Sequence, residues 1–124
     1  VASGGELSRI ALAVAVCTSR LGAAGTLIFD EVDAGIGGKV SHTVGQLMRQ
    51  LGADRQVLAI THLAPVAATA HHHFKVEKGT LDGVTTSRIA ALSDHDRVVE
   101  IARMLGGDSN SPTVMAHAKE MLAA

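Results

Sequence analysis

The sequence predicts an α/β fold with parallel strands flanked by helices and a β-hairpin added to them. Two short apolar runs carry the parallel pair, Thr26-Leu27-Ile28-Phe29 and Val57-Leu58-Ala59-Ile60, with a stretch of helical periodicity between them. Continuous apolar strands without polar alternation belong in parallel sheets covered on both faces, and a helix joining two of them makes a βαβ unit. The hairpin rests on a third observation: His73-Phe74-Lys75-Val76-Glu77 and Val84-Thr85-Thr86-Ser87-Arg88-Ile89 flank a run of turn residues from Lys78 to Gly83.

Taken in order, the first helix is expected over roughly Gly5 to Leu21. Leu7, Ile10, Val14, Cys17 and Leu21 recur at helical spacing, and Leu12 and Val16 fill much of the other side. Apolar nearly all round, it belongs in the middle of a layered structure, with Cys17 as a packing residue. Gly22 and Gly25 stop it. A second helix over about Lys39 to Leu51 presents Val40, Val44, Leu47, Met48 and Leu51 on one face and ends at Gly52. A short Ala-rich helix follows Pro65, to about Ala70. Ser93 caps a helix that ends at Gly106-Gly107, and Ser111-Pro112 opens the last one. Met104, Met115 and Met121 fall on apolar helix faces, where core filling is the default.

Composition bounds the class. With 124 residues the chain is one domain at most, and with 47% hydrophobic but 2% aromatic residues its core is aliphatic. Eleven basic residues against 12 acidic ones leave no strong basic field to grip nucleic acid. The lone Cys17 excludes an internal disulfide framework and fits a reducing cytoplasm. No run reaches the roughly 20 apolar residues of a membrane helix, and no signal-peptide pattern opens the sequence.

The chemistry-bearing residues gather at the carboxyl ends of the two strands, where open α/β sheets bind ligands. Asp30 and Glu31 end one strand and His62 ends the other. Two adjacent carboxylates there suit a divalent cation, with Asp30 holding Mg²⁺ directly or through water. Glu31, pointing the other way off the strand, suits proton acceptance from an attacking water. His62 suits a phosphate oxygen. The plain alternative is a strand that has ended in polar residues. Ser3-Gly4-Gly5-Glu6 opens the first helix, where two glycines and unpaired N–H groups make an anion site. The same Ser3 and Glu6 have capping-box spacing, and both roles can hold at once.

Two lures fail. Gly35-Ile36-Gly37-Gly38-Lys39-Val40-Ser41 lacks the Ser or Thr after lysine and the glycine spacing of a phosphate loop, so it reads as a turn into the second helix. His71-His72-His73 cannot converge on one metal ion from alternating strand faces, and the run is short and internal for an expression tag.

In register, Ser3-Gly4-Gly5-Glu6-Leu7, Leu27-Ile28-Phe29-Asp30-Glu31, Asp33 and Thr61-His62 resemble the signature motif, Walker B strand, D-loop and switch histidine of the ABC-type ATPases. Glu6, where transporters usually carry glutamine, is similar to the SMC-like branch. The segments Ala2 to Arg9, Phe29 to Gly38, Thr61 to Leu63, Ile101 to Gly107 and Ala116 to Leu122 resemble its bacterial DNA-repair members, from end to end of the chain.

The resemblance implies that residues 1–124 are the C-terminal lobe of an ABC/SMC-like P-loop NTPase head in double-strand break repair and recombination. The P-loop lobe and a long antiparallel coiled coil would lie outside this sequence. It implies ATP and Mg²⁺ as cofactors, a second head sandwiching ATP in a homodimer, and the N-terminal P-loop lobe as partner. DNA would be engaged through the full-length protein, not chiefly through this lobe. The place would be the bacterial cytoplasm, at the nucleoid and not in a membrane. Within the motifs, Ser3 and Gly5, with Gly4 and Glu6, would meet the γ-phosphate held by the opposite head. Asp30 would serve Mg²⁺, Glu31 would be the general base, Asp33 would work across the dimer and His62 would sense the γ-phosphate. Loss of the other lobe would expose apolar surface on the first strand or helix.

Two rival readings come from other classes. One is a non-catalytic dimerisation or interaction module that complements a P-loop-bearing partner. The other is a stand-alone Mg²⁺-dependent phosphatase or receiver-like domain using Asp30, which leaves Ser3 to Glu6 unexplained and has no phosphate-anchoring lysine at a strand end.

Overall fold

A computed structural model of the chain describes residues 3–17, 24–108 and 110–124. In order, its elements are α1 (Gly4–Cys17), β1 (Thr26–Phe29), α2 (Gly38–Leu51), β2 (Gln56–Ala59), α3 (Ala64–Ala67), β3 (Phe74–Leu81), β4 (Val84–Ala91), α4 (Asp94–Met104) and α5 (Pro112–Ala123). Ala2, Leu21 and Gly22, which figured in the sequence expectations, lie outside the described residues.

β1 and β2 pair in parallel, Thr26 opposite Gln56 and Phe29 opposite Ala59, with α2 as the crossover. This is the expected βαβ unit. Leu27, Phe29 and Val57 turn inward and pack with Leu12 of α1 and with Val44, Met48 and Leu51 of α2. The opposite face departs from expectation. Ile28 is 70% exposed, and Leu58 and Ile60 are exposed too. The helices cover one side of the pair, and no described element covers the other.

The same holds for α1. Its buried residues are Gly5 and Leu12, whereas Leu7, Ile10 and Val14 face outward. Cys17, expected in the packing, is exposed at the end of the helix. On α2, Val44, Met48 and Leu51 are buried and Leu47 is half-buried, but Val40 in the first turn is exposed.

The hairpin is longer and tighter than its sequence suggested. Lys78, Gly79 and Thr80 are not turn but strand, paired with Ser87, Thr86 and Thr85. The turn is Asp82-Gly83 alone, both at positive φ (51° and 77°), the backbone that a two-residue hairpin loop requires.

α3 joins two cores. Its Val66 belongs to the α1–β1–α2 cluster, while Ala64, Ala67 and Ala68 pack on Ile101 and Ala102 of α4 and Ala118 of α5. Met104, Met115 and Met121 pack partly buried around the second cluster, as expected. Gly45 lets α2 and α3 meet, because a Cβ there would lie 2.6 Å from Thr69 Oγ1. Ser93 caps α4 by accepting a bond from Asp96 N at 3.2 Å. Ser111 occupies the cap position of α5, with Pro112 at the first turn, without a side-chain bond.

A buried carboxylate fastens the hairpin to α4. Glu100 accepts from Arg103 Nε at 2.9 Å and Nη2 at 2.6 Å, and Lys75 Nζ lies 3.5 Å from it. The bonds from Arg103 hold the Glu100 carboxyl below its ordinary range despite burial. No helix among the described residues is long and apolar enough to cross a membrane.

Candidate functional site

The site is assembled from three segments far apart in sequence. The first is the start of α1. Ser3 Oγ accepts from Glu6 N at 3.2 Å, so the capping expectation holds and leaves Glu6 itself exposed. Two residues on, α1 approaches the loop after β1 too closely for any side chain. A Cβ on Gly5 would lie 2.9 Å from Ala34 Cβ and 3.0 Å from the carbonyl oxygens of both Ala34 and Glu31. The next turn fastens the contact: Ser8 Oγ donates to Asp30 O at 2.6 Å. Arg9 Nη1 donates to Ala34 O at 2.7 Å and to Val32 O at 3.3 Å. Sequence reasoning gave Ser8 and Arg9 no role. Their signal was two polar residues opening a helix otherwise apolar.

The second segment is that loop. Asp30 is exposed directly beyond β1, beside the end of β2. Glu31 sits in the left-handed region at φ 58°, uncommon for a residue with a side chain. Here the expectation is corrected. Strand alternation does not set the direction of Glu31, because the strand has already ended. Its carboxylate leans over Gly4, where an added Cβ would run into Oε2. Val32 and Asp33 then turn inward, Asp33 being only 3% exposed.

The third segment follows β2, and Asp33 holds it. Asp33 Oδ2 accepts from Thr61 Oγ1 and, at 3.1 Å, from His62 N. Thr61 Oγ1 in turn accepts from Leu63 N at 3.1 Å. The His62 ring, 76% exposed, has Nδ1 3.5 Å from the same Asp33 oxygen. A buried carboxylate is costly unless bonded, and these partners all converge on its Oδ2. Asp33 and Thr61 thus act as a clamp that presents His62 outward on the same rim as Asp30, Glu31 and Ser3 to Glu6.

Exposed on this rim, Asp30 and Glu31 could meet a cation and His62 an anion. Mg²⁺ keeps several waters and takes few protein ligands, and of the two exposed carboxylates here Asp30 is the one directly at the strand end. Among the described residues no group of three or more His, Cys, Asp or Glu could hold a metal by itself. The histidine run lies elsewhere: His71 and His72 are exposed, and His73 is half-buried with its pKa pushed down by burial and by Arg97.

No family model matches the chain. Curated proteins do. The DNA repair protein RecN of Haemophilus influenzae is 53% identical over 98% of the chain, that of Deinococcus radiodurans 52% over 99%, and that of Vibrio cholerae 47% over 100%. The chain is RecN-like along its whole length. It spans about a fifth of those RecN proteins, 21% to 22% of their length. In fold the chain is similar to part of a solved structure. A solved chain from work on ATP-driven dimerization and DNA-stimulated activation of SMC ATPases matches at TM-score 0.59 and 24% identity, over 86% of this RecN-like chain and 63% of that one.

Proposed function

We propose that this RecN-like chain is the C-terminal lobe of an ATP-binding and ATP-hydrolysing head that acts in DNA double-strand break repair and recombination. The carrying observation is the convergence on one rim of the α1 start, the loop after β1 and the loop after β2, joined through Gly5, Arg9 and the Asp33 clamp. In this reading the rim is half of a nucleotide site. Asp30 serves Mg²⁺, Glu31 accepts the proton of the attacking water, and His62 meets the γ-phosphate. Ser3, Gly4, Gly5 and Glu6 face the nucleotide of a second head. Asp33, expected to work across the dimer, is buried and bonded within its own chain, so its role in this reading is to fix the loop that carries His62. Catalysis is then mostly positioning and charge stabilisation, as phosphoryl transfer requires.

The open apolar surface supports the same reading. Leu7, Ile10, Val14 and Ile28 are exposed on α1 and β1, and parallel strands are normally covered on both faces. The P-loop lobe of the same protein is the proposed cover. The place of action is the bacterial cytoplasm, and DNA is met mainly through the rest of the protein. The test compares the 124-residue chain with a longer protein that contains it. Weak ATP binding and no turnover by the chain alone, with turnover restored in the longer protein, is the expected result; robust turnover by the chain alone contradicts it.

A further inference from the structure

Away from that rim, we propose that the groove on the outer face of α2 is a contact site for the phosphate backbone of DNA. The groove has a volume of about 470 Å³, and its polar lining is His42, Thr43, Gln46, Arg49, Gln50 and His71. These positions on α2 are the face opposite Val44, Met48 and Leu51, which are buried in the core. None of them belongs to the proposed nucleotide rim.

Every polar side chain lining the groove can donate a hydrogen bond, and none is a carboxylate. Arg49 Nη1 donates to Thr69 O at 2.7 Å, which anchors the guanidinium at the groove and leaves its other N–H groups to a ligand. Arg49 has no ion pair among the described residues. Its charge is felt nearby: after burial, Arg49 is the chief cause lowering the pKa of Arg97. Asp54, the carboxylate next to the groove residue Ala53, is turned to Arg55 at 3.6 Å. Gln46 Nε2 and His42 Nε2 stand 3.4 Å apart, one helical turn from each other.

An anchored, uncompensated guanidinium with flanking neutral donors fits a phosphate. The groove offers no aromatic side chain besides histidine on which a base could stack, so a backbone phosphate suits it better than a nucleotide. The choice of DNA as the source of that phosphate rests on the proposed repair role. It is a local contact, in keeping with the chain's near-neutral charge.

The experiment titrates a fluorescent duplex of random sequence with the full-length protein at several salt concentrations. Gln46→Glu places a negative charge in the groove without touching a buried residue. It is expected to weaken binding about tenfold and to reduce the salt slope by about one. Arg49→Gln is expected to act in the same direction, and Gln46→Lys in the opposite one. ATP turnover without DNA should be the same in both Gln46 variants as in the parent. Affinity and slope equal to the parent's in both Gln46 variants overturn the proposal. So does displacement of the duplex contact by millimolar inorganic phosphate to the same extent in Gln46→Glu and parent. Absent basal turnover in the parent counts against the ATPase reading, and the duplex arm still decides the groove.

Discussion

The α3–α4–α5 corner and the α1–β1–β2 rim use the same aliphatic residues and bury them differently. Ile101, Ala102 and Ala118 are wholly inaccessible in the corner, while Ile10 and Ile28 on the rim are more than half exposed. The corner closes on itself: α3 reaches it with alanines, α4 and α5 cross it, and Glu100 with Arg103 and Lys75 locks the hairpin to it. The rim is closed only where it is stitched by Gly5, Ser8, Arg9 and Asp33. What differs is the partner each region supplies for itself. The corner is self-sufficient, whereas the rim spends its contacts on positioning polar side chains and leaves apolar surface for another element.

The largest test of this contrast is a pair of truncations. Ile101→Ala should cost about 2–5 kcal/mol in urea unfolding of the chain, because it opens a cavity in a closed cluster. Ile28→Ala should change stability by less than about 0.5 kcal/mol in the same assay. In the longer protein Ile28→Ala should become costly, which would sharpen the comparison; equal costs in the isolated chain would break it.

Next in size is Gly5→Ala. The added methyl meets two carbonyl oxygens and Ala34 Cβ, and backbone cannot move aside as a flexible side chain can. A loss of about 1–3 kcal/mol is expected, with a larger fall in turnover of the longer protein, since α1 must separate from the loop bearing Asp30 and Glu31. Stability lost without any change in turnover would show that the stitched contact serves only the fold.

The smallest expected effect is pH dependence in the corner and hairpin. His73 has its pKa lowered by burial, so its neutral form is favoured on folding. Its contribution is complete above the ordinary histidine value of 6.5 and is lost as pH falls through the lower folded value. Glu100, lowered from 4.5 chiefly by Arg103, adds a further loss at lower pH. Urea titrations at steps from pH 7 down to about pH 2.5 should therefore show stability falling in that order. His73→Phe should remove the upper step and leave the lower one.

How much could be read in advance depended on whether a residue's partner was local. β1, α2 and the Ser93 cap follow from contiguous patterns, apolar runs and a serine three residues before an orphan N–H, and they stand where expected. The hairpin turn was read too long because Lys78, Gly79 and Thr80 are turn formers by composition, yet in an exposed hairpin the backbone ladder holds them extended. Exposure of Leu7, Ile10, Val14 and Cys17 was hidden because periodicity marks a face as apolar and says nothing of what covers it. At the site, the motif residues Asp30, Glu31 and His62 were legible from strand ends. The clamp was not, because Asp33 and Thr61 meet across 28 positions and neither has a local signature. The lean of Glu31 over Gly4 likewise depends on a backbone turn that follows the strand.

In the proposed head, Glu31 on this rim is the base for ATP hydrolysis. Glu31→Gln in the full-length protein keeps the side chain's shape and removes its charge. ATP turnover should fall at least 100-fold, with nucleotide binding retained and ATP-bound head dimers accumulating in sedimentation. Turnover equal to the parent's would contradict the account.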